Sequence, residues 1–358
     1  MLENWLQAPK IDVDNLASWQ IGINILQHIG EQFPDLRTSK IALLGISAET
    51  DTIRKYLYQM GHPFNKFPIA DIGNLRNPSE DTLLPVLKEL LASKIIPIIL
   101  SNEPAPFTAQ FKAYKDRLKK VNLVVVDEKL AHHKKIENYL SVLRKGRKPR
   151  LGNLGLIGYQ SHLSPIDSIH YYQNKNYDCT RLGLAKSQME QLEPVIRDAH
   201  AVYFNMAALK MAEAPGVWEN SPSGFTSEEA CQVCHYVGIS DKLSSIGFYG
   251  YCKEKDPQEQ TAQLIAQMVW YTMEGIYYRK KDFPISTEGL LEYIVALKGY
   301  DQELTFWKST RSGRWWIEVP HKNKKKKNHL IPCSYEDYQL ACQNDLSERL
   351  LNVMERVA

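Results

Sequence analysis

The sequence predicts an α/β fold: a mostly parallel central sheet with helices on both faces. Three observations carry this. Short apolar runs of buried-strand character recur along the chain. Stretches with helical apolar spacing and helix start signals separate them. The chain has 358 residues and 44% hydrophobic content, ample for a large core. Strands alternating with helices imply βαβ units with right-handed crossovers.

The elements follow in order. KIALLGI (40–46) reads as a buried strand and TDTIRKYLYQMG (50–61) as a helix closed by Gly61. FPIADIGN (67–74) is strand-like. SEDTLLPVLKELLAS (79–93) opens with a cap and an acidic first turn, and Pro85 falls near the first turns, where proline costs least. IIPIIL (95–100) is a strand, APFTAQFKAYKDRLKK (105–120) a helix and VNLVVV (121–126) a strand. LGNLGLIGY (151–159), AVYFNM (201–206) and SSIGFYGY (244–251) continue the strand series. EQTAQLIAQMVWYTMEGIYYRK (259–280) is apolar nearly all round and should be a buried helix. Residues 1–36 form a helical lead-in, and 1–300 form the main domain. Residues 301–358 form an appendage packed on the same domain, with strand-like FWKSTRSGRWWIEVP and a final helix in SERLLNVMERV.

Composition excludes several classes. A net charge of +3, from 44 basic and 41 acidic residues, gives no global attraction to nucleic acid or membrane. MLENWLQAPK lacks a basic n-region before an apolar h-region, and IIPIIL is far too short to span a bilayer. The expectation is a cytoplasmic protein with reduced cysteines, since six in 358 residues make no disulfide scaffold. CQVCH (231–235) has the spacing of a haem-attachment motif, but it sits in TSEEACQVCHYVGIS, a helix capped by Thr226 or Ser227. No haem is expected. Two basic clusters, RKGRKPR (144–150) and HKNKKKKNH (321–329), read as solvated loops; an anionic partner such as RNA is the alternative.

NLVVVDEKLAHH (122–133) stands out. A buried strand runs into Asp127, then into charged residues and a histidine pair. Ligands of open α/β sheets bind outside the carboxyl ends of the strands.

The order of motifs resembles the ureohydrolase superfamily of arginases, agmatinases and formimidoylglutamases, from about Lys40 to Lys281. IALLGI is similar to the family's first strand, TIRKYLY to its AIRKxLY helix and DIGN (71–74) to its DLGN. APGVWENSPSGFTSEEACQ resembles the loop and helix after its late metal-binding strand. QTAQLIAQMVWYTMEGIYYRKKDFP resembles the last core helix of formimidoylglutamase-like members. The resemblance implies a three-layer α/β/α fold around an eight-stranded, mostly parallel sheet. The family often forms homo-oligomers, and the resemblance also implies two manganese ions whose bridging hydroxide attacks a guanidinium or formimino carbon.

The ligand positions depart from that pattern. Where the family has GGDH or GGGH, this chain has SNEP, with Pro104 in place of the histidine. DAHxD is here DEKLA: Asp127 is kept, while Lys129 and Ala131 replace the histidine and the second aspartate. FDxD is here FNMA, with Asn205 and Ala207, and Gly250 stands where a glutamate is usual. Asp256 and Thr261 do match the family's pattern. No metal or other cofactor is expected, and the Lys129 ammonium is expected to stand in for the metals by neutralising Asp127, with Glu103 helping. His132 and His133 offer a route to a rebuilt site with Asp127.

The primary expectation is therefore a non-catalytic ureohydrolase-like protein that binds a small molecule or a protein. One alternative is an active C–N hydrolase with an altered site, for which Asp127, Glu103, His132 and Glu228 are acid–base candidates. The other is nucleic-acid binding through residues 321–329.

Overall fold

The structure is a computed structural model that describes residues 2–65, 67–130, 143, 150–284, 286–297, 303–321 and 328–357. Its main sheet has ten strands. Eight of them form a continuous run of parallel neighbours: β3 (Ile41–Gly45), β4 (Ile69–Leu75), β5 (Ile96–Leu100), β6 (Lys120–Val126), β7 (Arg150–Tyr159), β8 (Asp178–Arg181), β9 (Ala201–Asn205) and β10 (Ser245–Tyr249). Their spatial order is β4-β3-β5-β10-β9-β6-β7-β8. The remaining two, β1 (Leu6–Gln7) and β2 (Leu26–Gln27), both pair with β4, and β1 is antiparallel. The lead-in is not helical as expected. It holds a 3-10 turn at Leu2–Trp5 and one four-residue helix, α1 (Ile21–Asn24), because β1 and β2 satisfy their backbone groups on β4 instead.

Successive strand residues face opposite ways, so each strand feeds two cores. Ile41 and Leu43 pack with α2 (Asp51–Gln59), α8 (Ser227–Gly238) and α9 (Gln260–Tyr277). Ala42 and Leu44 pack with α3 (Glu80–Ala92) and α4 (Phe107–Lys112) on the other face. This is the three-layer arrangement. The expected cap on α3 is Ser79, whose hydroxyl accepts from the Thr82 N–H in a capping box; Thr226 and Glu229 form the same device on α8. α4 is shorter than the expected 105–120. The chain leaves it where Tyr114 turns inward, its hydroxyl bonded to Ser245 Oγ (2.8 Å) and the His200 carbonyl (3.1 Å). Within the main domain three short helices escaped the sequence reading: α5 (Ile166–Gln173), α6 (Leu182–Ser187) and α7 (Leu192–Arg197).

The carboxyl-terminal segment forms a second sheet. Antiparallel β11 (Leu290–Ala296), β12 (Glu303–Ser309), β13 (Trp315–Val319) and β14 (His329–Cys333) lie in that order. α10 (Tyr335–Cys342) and α11 (Glu348–Val357) follow, around a small core that includes Phe306, Trp315, Ile317 and Leu350. Arg197 joins this sheet to the main domain. Its Nη2 donates to the carbonyls of Trp315 (3.1 Å) and Cys333 (3.0 Å), and its guanidinium lies 4.6 Å from the Trp316 ring centroid. Of the two basic clusters, 144–149 and 322–327 lie outside the described residues. No helix among the described residues is long and apolar enough to cross a membrane.

One buried ion pair ties α2 to the sheet. Arg54 Nε donates to Asp71 Oδ2 at 2.7 Å, and both side chains are fully buried. Arg54 also donates to Asn74 Oδ1 (2.8 Å), Thr50 Oγ1 (3.0 Å) and the Gly73 carbonyl (2.9 Å). The network presses on Gly45, where a Cβ would lie 1.9 Å from Asn74 Oδ1. Arg54→Met leaves Asp71 buried without its cation and should cost about 3–5 kcal/mol in urea unfolding. Lys55→Ala, removing the exposed pair with Glu259, should cost about 1 kcal/mol or less. Equal losses would contradict this account.

Candidate functional site

The carboxyl ends of β5, β6, β9 and β10 converge, and the expected site residues sit there. Asp127, the first residue past β6, is 4% exposed. Its backbone N–H donates to the Ile157 carbonyl on β7 (3.1 Å). Its Oδ1 accepts from Asn205 Nδ2 at the end of β9 (3.0 Å). Burial pushes the Asp127 carboxyl up to about 7. The Asn205 amide and the backbone N–H groups of Glu128 and Lys129 pull the other way, and the neighbouring Glu128 charge adds to the rise.

Lys129 does not neutralise Asp127. Its ammonium pairs with Glu128 Oε1 (3.2 Å) and with Glu219. The reason is that β6 ends at Val126, so strand alternation does not extend to Lys129, and the side chain leaves toward the loop after β9. Burial disfavours the charged lysine, but the hydrogen bonds to Glu219 and Glu128 outweigh it and raise the Lys129 pKa. Glu128 is buried and pushed up by burial, and its Oε2 has no partner among the described residues. Sequence reading missed this carboxylate. The signal was the two adjacent acids of DEK at a strand end, of which one had to turn away from the other.

The other expected residues are placed as follows. Glu103 is exposed, and its N–H is held by Ser101 Oγ (3.1 Å) in the turn after β5. Pro104 starts the turn into α4, its carbonyl accepting from the Phe107 N–H (3.2 Å). Asn205 Oδ1 accepts the Ala207 N–H (3.2 Å). Glu228 is exposed in the first turn of α8. Ala131, His132 and His133 lie outside the described residues. Gly250 has φ +89°, and a Cβ there would lie 2.9 Å from Asn205 Oδ1. Asp256 and Thr261 are structural: Asp256 accepts the first N–H groups of α9, from Thr261 (3.0 Å) and Ala262 (2.9 Å), and Thr261 Oγ1 accepts the Gly216 N–H (2.7 Å). Cys231 and Cys234 are buried in α8, and burial pushes the Cys231 thiol up to about 12. Among the described residues no group of three or more His, Cys, Asp and Glu side chains is placed to hold a metal ion.

The loop after β9 lies across these strand ends. Trp218 Nε1 donates to the Asn102 carbonyl beyond β5 (2.9 Å), and Lys255 beyond β10 donates to the Trp218 carbonyl (2.6 Å). The Lys129–Glu219 pair fastens the same loop to the end of β6.

Comparison with known proteins places this geometry. The sequence profile of the arginase family matches residues 41–274. The fold is similar to that of Trypanosoma cruzi formiminoglutamase with Mn2+2 (TM-score 0.61, 13% identity, 67% of this chain and 94% of that one). It is also similar to Bacillus subtilis formimidoylglutamase (TM-score 0.58, 15% identity, 67% and 88%) and to the agmatine ureohydrolase of Thermoplasma volcanium (TM-score 0.54, 17% identity, 68% and 92%). No curated protein sequence matches.

The Asp127 carboxyl makes stability fall with pH. The folded state keeps its proton up to about 7, whereas an unfolded aspartate loses it near about 3.9. The folded state therefore binds more protons between these values, and stability declines as pH rises through them. The unfolding free energy of the protein, relative to that of Asp127→Asn, should drop by on the order of 2–4 kcal/mol from pH 4 to pH 8. A constant difference would contradict the placement of Asp127.

Proposed function

The chain belongs to the arginase family, and from that premise we propose that it is a non-catalytic member whose strand-end crevice no longer holds two manganese ions. The observation that carries this is the bond from Asn205 Nδ2 to Asp127 Oδ1. Asp127 is the one carboxylate retained among the metal-ligand positions compared, and its Oδ1 is engaged by an amide standing where a second ligand would be. Asn205 Oδ1 is itself engaged by the Ala207 N–H.

Two metal ions sharing a water need several carboxylates and imidazoles around them. Proline, ammonium, amide and methyl groups at Pro104, Lys129, Asn205 and Ala207 do not fit that requirement. The Lys129 cation opposes a dication electrostatically. Gly250 cannot simply be exchanged for the family's glutamate, because its backbone is left-handed and Asn205 occupies the space. What remains is a crevice bridged by Trp218 and Glu219, a retained scaffold suited to binding a small molecule or a protein. Fold alone does not fix activity, and the site decides.

A second reading has one observation in its favour. The Asp127 carboxyl is pushed up to about 7 with Glu128 beside it. A carboxyl titrating near neutrality suits general acid–base chemistry on a formimino or guanidino substrate.

Metal content separates the readings. The full chain, purified without chelator, should carry no stoichiometric manganese, and its melting temperature should not move with added manganese. Two manganese ions per chain with a rising melting temperature would overturn the proposal. Loss of that metal in His132→Ala/His133→Ala would then assign it to the histidine pair. Gly250→Glu should lower stability by about 1–3 kcal/mol, read by denaturant unfolding, without creating manganese affinity.

A further inference from the structure

A cleft of about 760 Å³ lies away from the strand-end crevice, between edge strand β8 and the carboxyl-terminal helices. α5, α6 and α7 supply one wall and α10 and α11 the other. The volume falls in the range of small-molecule sites, roughly 300–1,000 Å³. The matched family segment ends at residue 274, so the second wall comes from chain beyond it.

The lining has two parts. The apolar part is built from Ile169, Leu192 and Val195, all buried, and continues to a rim where Ile166 is 61% and Leu184 42% exposed. The polar part centres on Asp178, the first residue of β8, which is 6% exposed. Asp178 Oδ2 accepts from Asn153 Nδ2 (3.1 Å) and faces Arg356 Nη2 (3.7 Å). Asp178 Oδ1 is buried with no donor among the described residues. An unmatched carboxylate oxygen in a buried setting is costly.

Two arginines nearby, Arg356 and Arg349, bear on Asp178, the first through its Oδ2, and both have further partners. Arg349 is held by Asp337 Oδ2 (2.8 Å) and the Pro332 carbonyl (3.1 Å). Arg356 donates to the Asn176 carbonyl. Arg181 is exposed on the rim, which exposed Glu336 and Glu348 also line. Cys179, beside Asp178, is a neutral wall, its thiol pushed up to about 12 by burial.

We propose that this cleft binds a small amine with an apolar body, whose ammonium donates to Asp178 Oδ1 while the body lies on Ile169, Leu192 and Val195. A neutral alcohol of the same shape lacks the charge that the Asp178, Glu336 and Glu348 carboxylates select. A charge-assisted hydrogen bond to a buried oxygen is the stronger kind.

The test uses 2-phenylethylamine and its neutral analogue 2-phenylethanol on the full chain, read by titration calorimetry. Circular dichroism melts check that each variant folds. The amine should bind saturably, with the alcohol about tenfold weaker or more. Asp178→Asn should weaken the amine by a similar factor. Leu184→Trp, which fills the rim without touching Asp178, should abolish binding of both. Absence of saturable amine binding at millimolar concentration would overturn the proposal. So would equal binding of the alcohol, or undiminished amine binding in folded Asp178→Asn. If Asp178→Asn does not fold, Leu184→Trp decides: amine binding unchanged by it places the amine elsewhere.

Discussion

The buried pair of Arg54 and Asp71 holds the first half of the sheet in register with its helix layer. β3 and β4 are parallel neighbours, and α2 crosses between them. Burying both charges is tolerable only because the geometry is complete: the guanidinium satisfies a carboxylate, an amide, a hydroxyl and a carbonyl. Tyr58 and the Gly73 N–H take up what remains of the Asp71 carboxylate. Gly45 has no room for a side chain because Asn74 and Arg54 fill the space. Any change at one member leaves a charge or a void that the others cannot repair.

Asp127 shows the opposite solution to the same problem in the same sheet. It is nearly as buried as Asp71, but among the described residues its partners are an amide and two backbone N–H groups, with no cation. Dipoles at a buried carboxylate do not replace the solvation it loses, so the group shifts toward its neutral form. A dication at that position would hold the carboxylate ionised. Lys129 does not do so, because it is committed to Glu128 and Glu219. The Arg54–Asp71 pair thus compensates its own buried charges, and the described partners of Asp127 do not.

The sequence carried the interior of the fold well, for a physical reason. β3, β5, β6 and β10 are fully or nearly fully buried, so they appear as continuous apolar runs. The caps Ser79 and Thr226 are local hydrogen bonds written in adjacent residues. β8 was invisible because an edge strand of Asp178, Cys179, Thr180 and Arg181 needs no apolar run. β11 and β14 were equally hidden, their half-exposed faces giving no clean period. At the site, Asp127, Asn205, Ala207 and Pro104 could be located because each follows a recognisable strand. The partner of Lys129 could not be, since Glu219 is ninety residues away and only the folded loop brings it there.

The carboxyl-terminal segment answers a need that the main domain creates. An exposed edge of a parallel sheet invites pairing with another chain, and β8 is such an edge. α11 is fastened beside it: Asn176, just before β8, donates to Glu355 (2.9 Å), and Arg356 returns a bond to the Asn176 carbonyl. On the other side of α7, Arg197 anchors β13 and β14 through two carbonyls and the Trp316 face. With the appendage held at both places, it bridges rather than seals the edge, and the gap beneath the bridge is the cleft lined by Asp178. The covering of an edge and the making of a cavity are here one structural event, so a function placed in that cleft depends on residues beyond 274 as much as on the family's core.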